Sequence, residues 1–263
     1  MVWIPLLFSE PEYAMTARPM SSPDQQPTTL ELRSLPGPFK ALVLGASGTI
    51  GSAFVEVLSQ MPNCTQVVGL HRSSLPAIDL EQEDTLRHAA HWLADQGPFA
   101  LILDATGALT IDGVGPEKSL SQCKPQVLAK SFAINAIGRA LVLKHFSPLL
   151  PKHGRSLFGV LSARVGSIED NRLGGWYGYR ASKAAGNMIL QNAAIEIHRT
   201  KPEVVFAALQ PGTVDSPLSA QFSKGHPLTR PCDAAVGLLM ALDRLHAKGS
   251  AWFVDFRGDE IPW

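Results

Sequence analysis

The strongest constraint on the fold is a regular alternation of short apolar runs and amphipathic segments. After residue 38 the segments with helical spacing, such as GTIGSAFVEVLSQM and DAAVGLLMALDRL, alternate with the apolar runs FKALVLGAS, QVVGLHR, FALILDATGAL, SLFGVLSA, EVVFAALQPG and SAWFVDF. Near-continuous apolar runs are typical of strands covered on both faces, and their alternation with helices indicates a parallel sheet. The sequence therefore predicts an α/β fold, with one doubly wound domain over residues 39–263 and helices on both faces of its sheet.

Composition and charge exclude several classes of function. The 263 residues include 23 Lys and Arg and 23 Asp and Glu, so the chain carries no net charge. A neutral chain has no long-range attraction for nucleic acid or for an anionic membrane, and without an apolar run of about eighteen residues we expect no membrane span.

Cysteine and histidine usage argues against a metal site. The three cysteines, Cys64, Cys123 and Cys232, are far apart and form no CxxC pair, which indicates a reducing, cytoplasmic compartment and no structural zinc. His88 and His91 have no further ligand candidates nearby. We expect them to be surface or boundary histidines, and no metal is predicted.

The N-terminal segment differs from the rest of the chain. Residues 1–38 are rich in Pro, Ser and Gln and show no sustained period, which predicts a mostly disordered tail. Its run WIPLLF is short, contains a proline and follows no basic residue, unlike a secretory signal. We expect the folded domain to begin at Phe39.

The stretch GASGTIG (45–51), between the first strand and the first helix, has the spacing of a dinucleotide-binding turn. Its first glycine permits a tight turn, the second lets a pyrophosphate come close, and the third lets the helix pack on the strand. The unpaired N–H groups of the helix start attract phosphate. The predicted cofactor-binding residues of this turn are Gly45, Ser47, Gly48, Thr49, Ile50 and Gly51.

The end of the second strand favours NADP(H) over NAD(H). An NAD site would have Asp or Glu there to bind the ribose 2′-OH, whereas this chain has LHRSS with Arg72. A guanidinium pairs well with a 2′-phosphate, although Arg72 could also be a solvated loop charge. Asp79 follows, either to reach the adenine or to cap a helix whose first turn holds Glu81 and Glu83.

In GGWYGYRASKAAG (174–186), Tyr179 and Lys183 lie four residues apart among small residues. Residues at this spacing share one helix face. A free phenol has a pKa of about 10, and a cation within about 4–6 Å lowers such a pKa by about 1–3 units. Lys183 and an oxidised nicotinamide are together expected to supply this charge and to make Tyr179 a general acid in carbonyl reduction and a base in alcohol oxidation. The alternative is a packed aromatic ring beside a surface lysine.

Residues 39–263 resemble the short-chain dehydrogenase/reductase family, Rossmann proteins with a catalytic Tyr-xxx-Lys. The turn GASGTIG is similar to the family's cofactor turn, although Thr49 replaces the glycine of the best-known branch. DATG (104–107) stands where the family lines the cofactor after the third strand. Asn135 in FAINAIG matches the asparagine that holds a proton-relay water, and PGTVDSPL (211–218) matches the loop around the nicotinamide.

Within this family the segments SARVGSIEDN, GGWYGYRASKAA and FRGDEIPW most resemble the C-factor group, related to small carbonyl reductases. The resemblance implies a mostly parallel seven-stranded sheet, a small carbonyl or alcohol substrate and a homodimer or homotetramer. It implies that Lys183 binds the nicotinamide ribose. The segment SAQFSKGHPLTR (219–230) shows no clear period and is expected to close over the ligand. The further cofactor-binding residues that the resemblance implies are Asp104, Ala105, Thr106, Gly107, Tyr179, Lys183, Pro211, Gly212 and Val214.

One departure from the family concerns the serine that hydrogen-bonds the substrate carbonyl. Counting back three residues from Gly166 reaches Ala163, and Ser162 lies one position earlier. Neighbouring strand residues point to opposite faces, but a bulge at the strand end could turn Ser162 into the site. We predict Ser162 as the donor, with Ser167 as the reserve.

Two functions remain open at this point. The first is an NADPH-dependent carbonyl reductase or alcohol dehydrogenase that uses Tyr179, Lys183, Ser162 and Asn135. The second is an NADP(H)-binding regulatory or signalling protein of the C-factor type with weak or no turnover, which the missing serine at Ala163 favours.

Overall fold

A single parallel sheet forms the centre of the molecule. The computed structural model describes residues 30–217 and 228–263. Its strands are β1 (Phe39–Leu44), β2 (Cys64–Leu70), β3 (Leu101–Asp104), β4 (Ser156–Leu161), β5 (Val204–Gln210) and β6 (Trp252–Asp255), in the spatial order β2-β1-β3-β4-β5-β6. The predicted parallel α/β sheet is confirmed. The described residues form six strands rather than the expected seven. Each strand corresponds to one of the six apolar runs of the sequence, and the family resemblance alone implied a seventh.

Six α-helices connect and cover the strands. They are α1 (Thr49–Ser59), α2 (Glu83–Leu93), α3 (Pro125–Phe132), α4 (Gly138–Phe146), α5 (Tyr177–His198) and α6 (Pro231–Arg244) in the described residues. A π-helical turn, Ala133–Ile137, joins α3 to α4.

The sheet separates two apolar cores, as its alternating side chains require. In β1, Leu42 and Leu44 join the core that contains α2, α4 and α5. Ala41 and Val43 face the other core, which contains α1 and α6. Helices therefore cover both faces of the sheet, as predicted.

The packed chain begins before Phe39. Leu32 and Leu35 are 0% and 4% exposed and belong to the core beside α1 and α6. The backbone N–H groups of Arg33 and Ser34 each donate to the Asp243 carboxylate at 3.1 Å. Assigning all of 1–38 to a disordered tail was therefore wrong for residues 30–38, since two leucines there are buried. Residues 1–29 lie outside the described part.

The continuous helical stretch Pro125–Leu149 is, by length and composition alone, apolar enough to cross a membrane. The core helix of a globular domain passes the same test. Here the stretch contains the buried polar residues Asn135 and Arg139, so we assign it to the core of this domain.

The strand order creates the crevice that positions the site. From β1 the chain moves outward to β2 and then returns to place β3 on the other side of β1. The connections that follow β1 and β3 therefore lead to opposite sides of the sheet, and open parallel sheets bind ligands at such a point.

Candidate active site

The glycine turn after β1 is closely packed against the loop after β3. Gly45 has φ +80°, and a Cβ there would lie 2.9 Å from the carbonyl oxygen of Ala105. A Cβ at Gly51 would overlap with the Gly45 carbonyl oxygen. Helix α1 begins at Thr49 with Gly48 as its N-cap. The chain therefore needs glycine at positions 45 and 51 for the turn and for helix packing.

A groove runs from this turn to the end of β2. It is lined by Gly45, Ser47, Gly48, His71, Arg72, Ile78, Asp79, Leu80, Glu81, Ala105, Thr106, Gly107, Ala108 and Ile134. The predicted residues Arg72 and Asp79 thus line the same groove as the glycine turn. Thr49 and Ile50 do not line it: Thr49 borders a cleft beside Arg230, and Ile50 borders the cavity of Tyr179.

Asp79 closes a turn rather than capping a helix. Its carboxylate accepts hydrogen bonds from the backbone N–H of Glu81 at 3.0 Å and from the Gln82 side chain at 3.2 Å. The N-cap of α2 is Gln82, and Glu83 lies in the first turn. The helix-cap interpretation of Asp79 was therefore wrong, because the helix begins three residues later than that interpretation requires.

A second cavity contains the predicted catalytic side chains. Tyr179 opens into it, together with the ends of β4 and β5. The residues that line it are Ile50, Leu109, Ser162, Ala163, Arg164, Val165, Trp176, Tyr179, Gln210, Pro211, Gly212, Thr213, Val214 and Ser216. The structure therefore brings together Tyr179, Ser162 and the loop predicted to surround a nicotinamide. The segment 219–230 lies outside the described residues except for its last three.

Tyr179 and Lys183 share one face of α5. The Lys183 Nζ atom lies 5.7 Å from the centroid of the Tyr179 ring. Lys183 is buried, and its ammonium donates to the Leu161 carbonyl at 3.4 Å. A Cβ at Gly107 would lie 3.1 Å from both Lys183 Nζ and Asn135 Oδ1. The DATG loop therefore lies against the lysine and the asparagine.

The electrostatics of this pair differ from the sequence argument. Burial raises the pKa of Tyr179 to about 12, and the positive charge of Arg139 opposes that rise. Burial, followed by repulsion from Arg139, lowers the pKa of Lys183 to about 7, while Asp104 acts in the opposite direction. The joint effect of Lys183 and an oxidised nicotinamide on the pKa of Tyr179 stays a prediction. Burial disfavours the charged form of both groups, and the cation acting on Tyr179 is Arg139.

Asn135 clamps the loop after β3. It lies in the π-helical turn, a local geometry that is frequent at functional sites. Its side-chain amide donates to the Ala108 carbonyl at 2.8 Å, and its Oδ1 accepts from the Ala108 N–H at 3.0 Å. The role of Asn135 in holding a relay water stays a prediction. In the structure its side chain fixes the backbone of Ala108.

The two serine candidates occupy different places. Ser162 lines the cavity of Tyr179, and its hydroxyl donates to Asn187 Oδ1 at 2.7 Å. Ser167 lines a separate surface groove beside Tyr177, and its hydroxyl accepts from the Asp170 N–H at 3.0 Å. Ser162 is therefore the serine that shares a cavity with Tyr179. Its single hydroxyl proton is used in the hydrogen bond to Asn187.

Three residues of the site were not predicted from the sequence. Trp176 lines the cavity at φ +52°, with its ring 6.1 Å from that of Tyr179. Glu117 is buried, and its carboxylate accepts from the Gly178 N–H at 3.0 Å. Arg139 is 2% exposed beside Asp104. A charged residue inside the apolar run AIGRALVL was the signal that could have found Arg139.

A comparison with protein families decides the identity of the chain. Residues 40–227, which include the glycine turn, Tyr179 and Lys183, match the model of the short chain dehydrogenase family. The chain belongs to the short-chain dehydrogenase family.

No group of three or more His, Cys, Asp or Glu side chains that could hold a metal occurs in residues 30–217 and 228–263.

Two curated proteins illustrate the relatives of this short-chain dehydrogenase. It is 30% identical over 189 residues to 1-hydroxy-2-glutathionyl-2-methyl-3-butene dehydrogenase of Rhodococcus sp. strain AD45, covering 72% of this chain and 79% of the relative. It is 33% identical over 138 residues to the C-signal protein of Myxococcus xanthus, covering 52% of this chain and 78% of that protein.

Solved structures share the fold of this short-chain dehydrogenase. An NADPH-bound carbonyl reductase from chicken fatty liver matches with a TM-score of 0.76 at 20% identity, over 86% of this chain and 95% of that one. A short-chain dehydrogenase from Burkholderia cenocepacia J2315 in complex with NADP matches with a TM-score of 0.68 at 19% identity, over 84% and 88% of the two chains.

Proposed function

We propose that this short-chain dehydrogenase transfers a hydride between NADP(H) and a small carbonyl or alcohol substrate. The observation that carries the proposal is the position of Tyr179. Its side chain opens into a cavity that also holds Ser162, and Lys183 beside it contacts the glycine loop that borders the groove.

The groove fits a dinucleotide. Glycines at positions 45, 48 and 107 line it, and a Cβ at Gly107 would lie 3.1 Å from the Lys183 Nζ atom. The residues that would hold the cofactor are the glycine turn, the DATG loop, Lys183 at the ribose and the segment 211–214. When bound, NADPH supplies the hydride for carbonyl reduction.

Arg72 supports NADP(H) over NAD(H). It is exposed at the rim of the groove, where its guanidinium can pair with a 2′-phosphate. The NADPH bound to the chicken carbonyl reductase and the NADP bound to the Burkholderia cenocepacia protein support the same choice.

The side chains divide the proton chemistry. Because the pKa of Tyr179 is raised to about 12, the phenol keeps its proton near neutral pH and can donate it to the substrate oxygen as negative charge develops there. Lys183 holds the neighbouring carbonyl of Leu161. The Ser162 hydroxyl can donate to the substrate oxygen only when it no longer donates to Asn187 Oδ1.

Tyr179→Phe tests the proposal directly. Loss of the phenolic proton is expected to lower NADPH-dependent reduction of aldehydes and ketones by about a hundredfold or more, while NADPH affinity measured by fluorescence titration stays near wild type. Tyr177→Phe is the matched control, because Tyr177 lies outside the cavity on the same helix. A Tyr179→Phe protein as active as the control would refute the assignment.

The cofactor preference has its own test. Arg72→Ala removes the guanidinium at the groove rim, so the dissociation constant for NADPH is expected to rise while that for NADH stays nearly constant. Equal losses for both dinucleotides would contradict the role of Arg72. Exposed Arg87, which pairs with Asp84 on α2, provides the control substitution.

A regulatory protein that binds NADP(H) without turnover is the second candidate. The observations that favour it are the similarity to the C-signal protein and the hydrogen bond that occupies the Ser162 proton. Tight NADPH binding without turnover of any carbonyl in a broad panel would support this candidate.

We infer further that the chain forms a homodimer or homotetramer in the cytoplasm. Its cysteines are all free, which suits a reducing compartment. Exposed Met188 and Ile195 on α5 offer an apolar face for a second copy.

A further inference from the structure

A buried ion pair lies beneath Lys183. Arg139 of α4 is 2% exposed and Asp104, at the end of β3, is 1% exposed. Arg139 Nε lies 3.8 Å from Asp104 Oδ2. Removing two charges from water costs several kcal/mol per ion unless good geometry and hydrogen bonds compensate.

The hydrogen bonding of this pair is incomplete. Arg139 Nη2 donates to the Leu161 carbonyl at 2.7 Å, but Arg139 Nε and Nη1 have no hydrogen-bond partner among the described residues, nor does Asp104 Oδ2. Well-packed apolar side chains often replace such a pair without loss of stability. Stability alone therefore does not account for an arginine at this position.

Arg139 and Lys183 bind the same backbone atom. The Lys183 ammonium also donates to the Leu161 carbonyl, at 3.4 Å. The guanidinium reaches this position because α5 has glycine opposite it: a Cβ at Gly186 would lie 3.1 Å from Arg139 Nη1. Two side chains that share one acceptor are close neighbours, so the charge on one acts on the other.

The charged groups around Arg139 come from two elements. Asp104 faces it from β3, and Tyr179 and Lys183 face it from α5; β4 contributes the Leu161 carbonyl. Arg139 lowers the pKa of Lys183, whereas Asp104 raises it. Arg139 also lowers the pKa of Tyr179. The two members of the pair therefore act on Lys183 with opposite signs.

We propose that Arg139 is a positioning residue that acts through Lys183. Together with Asp104 it adjusts the proton occupancy that burial gives to Lys183, and it supplies the permanent positive charge next to Tyr179. Arg139 does not contact the substrate cavity. The effect of Arg139 on catalysis rests on the proposed function. Its effect on the protonation of Lys183 can be measured without a substrate.

Two single substitutions test this assignment without any substrate. Arg139→Met removes the like charge and is expected to raise the midpoint at which Lys183 loses its proton. Asp104→Asn removes the opposite charge and is expected to lower that midpoint. We expect each shift to be about one pH unit or more. The midpoints are measured from the pH dependence of the Lys183 ¹³Cε chemical shift in protein labelled with ¹³C-lysine, with the signal assigned by its loss in Lys183→Met.

The controls separate electrostatics from damage to the fold. Exposed Lys118 serves as an internal standard whose midpoint stays constant in every protein. The double variant Arg139→Met with Asp104→Asn has a neutral pair, so it is expected to fold even if a single variant does not, and its Lys183 midpoint should lie between those of the single variants. Circular dichroism and cofactor affinity report on folding.

Lys183 midpoints that shift in opposite directions in Arg139→Met and Asp104→Asn support the assignment. Midpoints that move in the same direction in both single variants, or that do not move in either, would overturn it. A wild-type protein that reduces no carbonyl would instead remove the proposed function and leave the measured Lys183 midpoints intact. In an active protein, Arg139→Met should also displace the pH profile of kcat/KM, and a purely structural arginine would lower its height alone.

Discussion

Lys183 is a buried amine whose ionisation must affect folding as well as chemistry. Its pKa falls from the ordinary 10.5 to about 7, mainly because of burial. Above about pH 7 the folded protein holds a neutral Lys183, while the unfolded chain still binds the proton up to pH 10.5. The unfolded state then binds more protons, so stability must increase with pH in this window.

We therefore expect the free energy of unfolding to rise between about pH 7 and 10, by at most about 1.4 kcal/mol per pH unit from this residue. Tyr179, with its pKa raised from 10 to about 12, acts with the opposite sign above pH 10, where the unfolded phenol ionises first. Urea unfolding over this pH range measures the effect. Lys183→Met should flatten the curve, and a slope that is unchanged in Lys183→Met would refute the buried titration.

At the scale of elements, the position of Tyr179 depends on how α5 begins. Glu117, from the irregular segment before α3, accepts from the Gly178 N–H at 3.0 Å, and its backbone carbonyl accepts from the Trp176 N–H at 2.5 Å. A carboxylate at a helix N-terminus pairs with free N–H groups and with the positive end of the helix dipole. Glu117 therefore holds the first turn of the helix that carries Tyr179.

Glu117→Ala is expected to lower the free energy of unfolding by about 1 kcal/mol and to reduce kcat more than it raises KM, because the turn beneath Tyr179 loosens. Glu117→Gln keeps an acceptor oxygen and should lose less of both. Glu203→Ala is the matched control, since exposed Glu203 also accepts from a glycine N–H, that of Gly154 at 2.9 Å. A kcat equal to that of the control would refute the positioning role.

The elements themselves were largely predictable, and their contacts were not. Strands and helices follow from local periodicity, and Tyr179 and Lys183 follow from their spacing on one helix. Glu117 lies 61 residues before Gly178 in the chain, so no local pattern connects them. The burial of Tyr179, which raises its pKa, and the burial of Arg139, whose charge opposes that rise, both depend on how the elements pack. The sequence predicts the local geometry of the site but not its electrostatics.

At the scale of the whole molecule, the domain leaves an apolar face without a cover among the described residues. On α5, Ala181, Met188 and Ile195 are exposed at seven-residue spacing, which places them along one side of the helix. Met188 is 60% exposed and Ile195 41%. Ile137, in the turn before α4, is 57% exposed. A second copy of the chain would bury these side chains.

Charge on this face should separate the subunits. Met188→Glu combined with Ile195→Glu is expected to convert the proposed dimer or tetramer to a monomer, because a carboxylate buried against an apolar partner is strongly disfavoured. Sedimentation equilibrium measures the mass. Leu75→Glu is the control, since Leu75 is 92% exposed in the loop before α2 and should leave the assembly intact. A wild-type protein that stays monomeric at every concentration would contradict the inferred interface, while a dimer that persists in the double variant would show that the subunits associate through another surface.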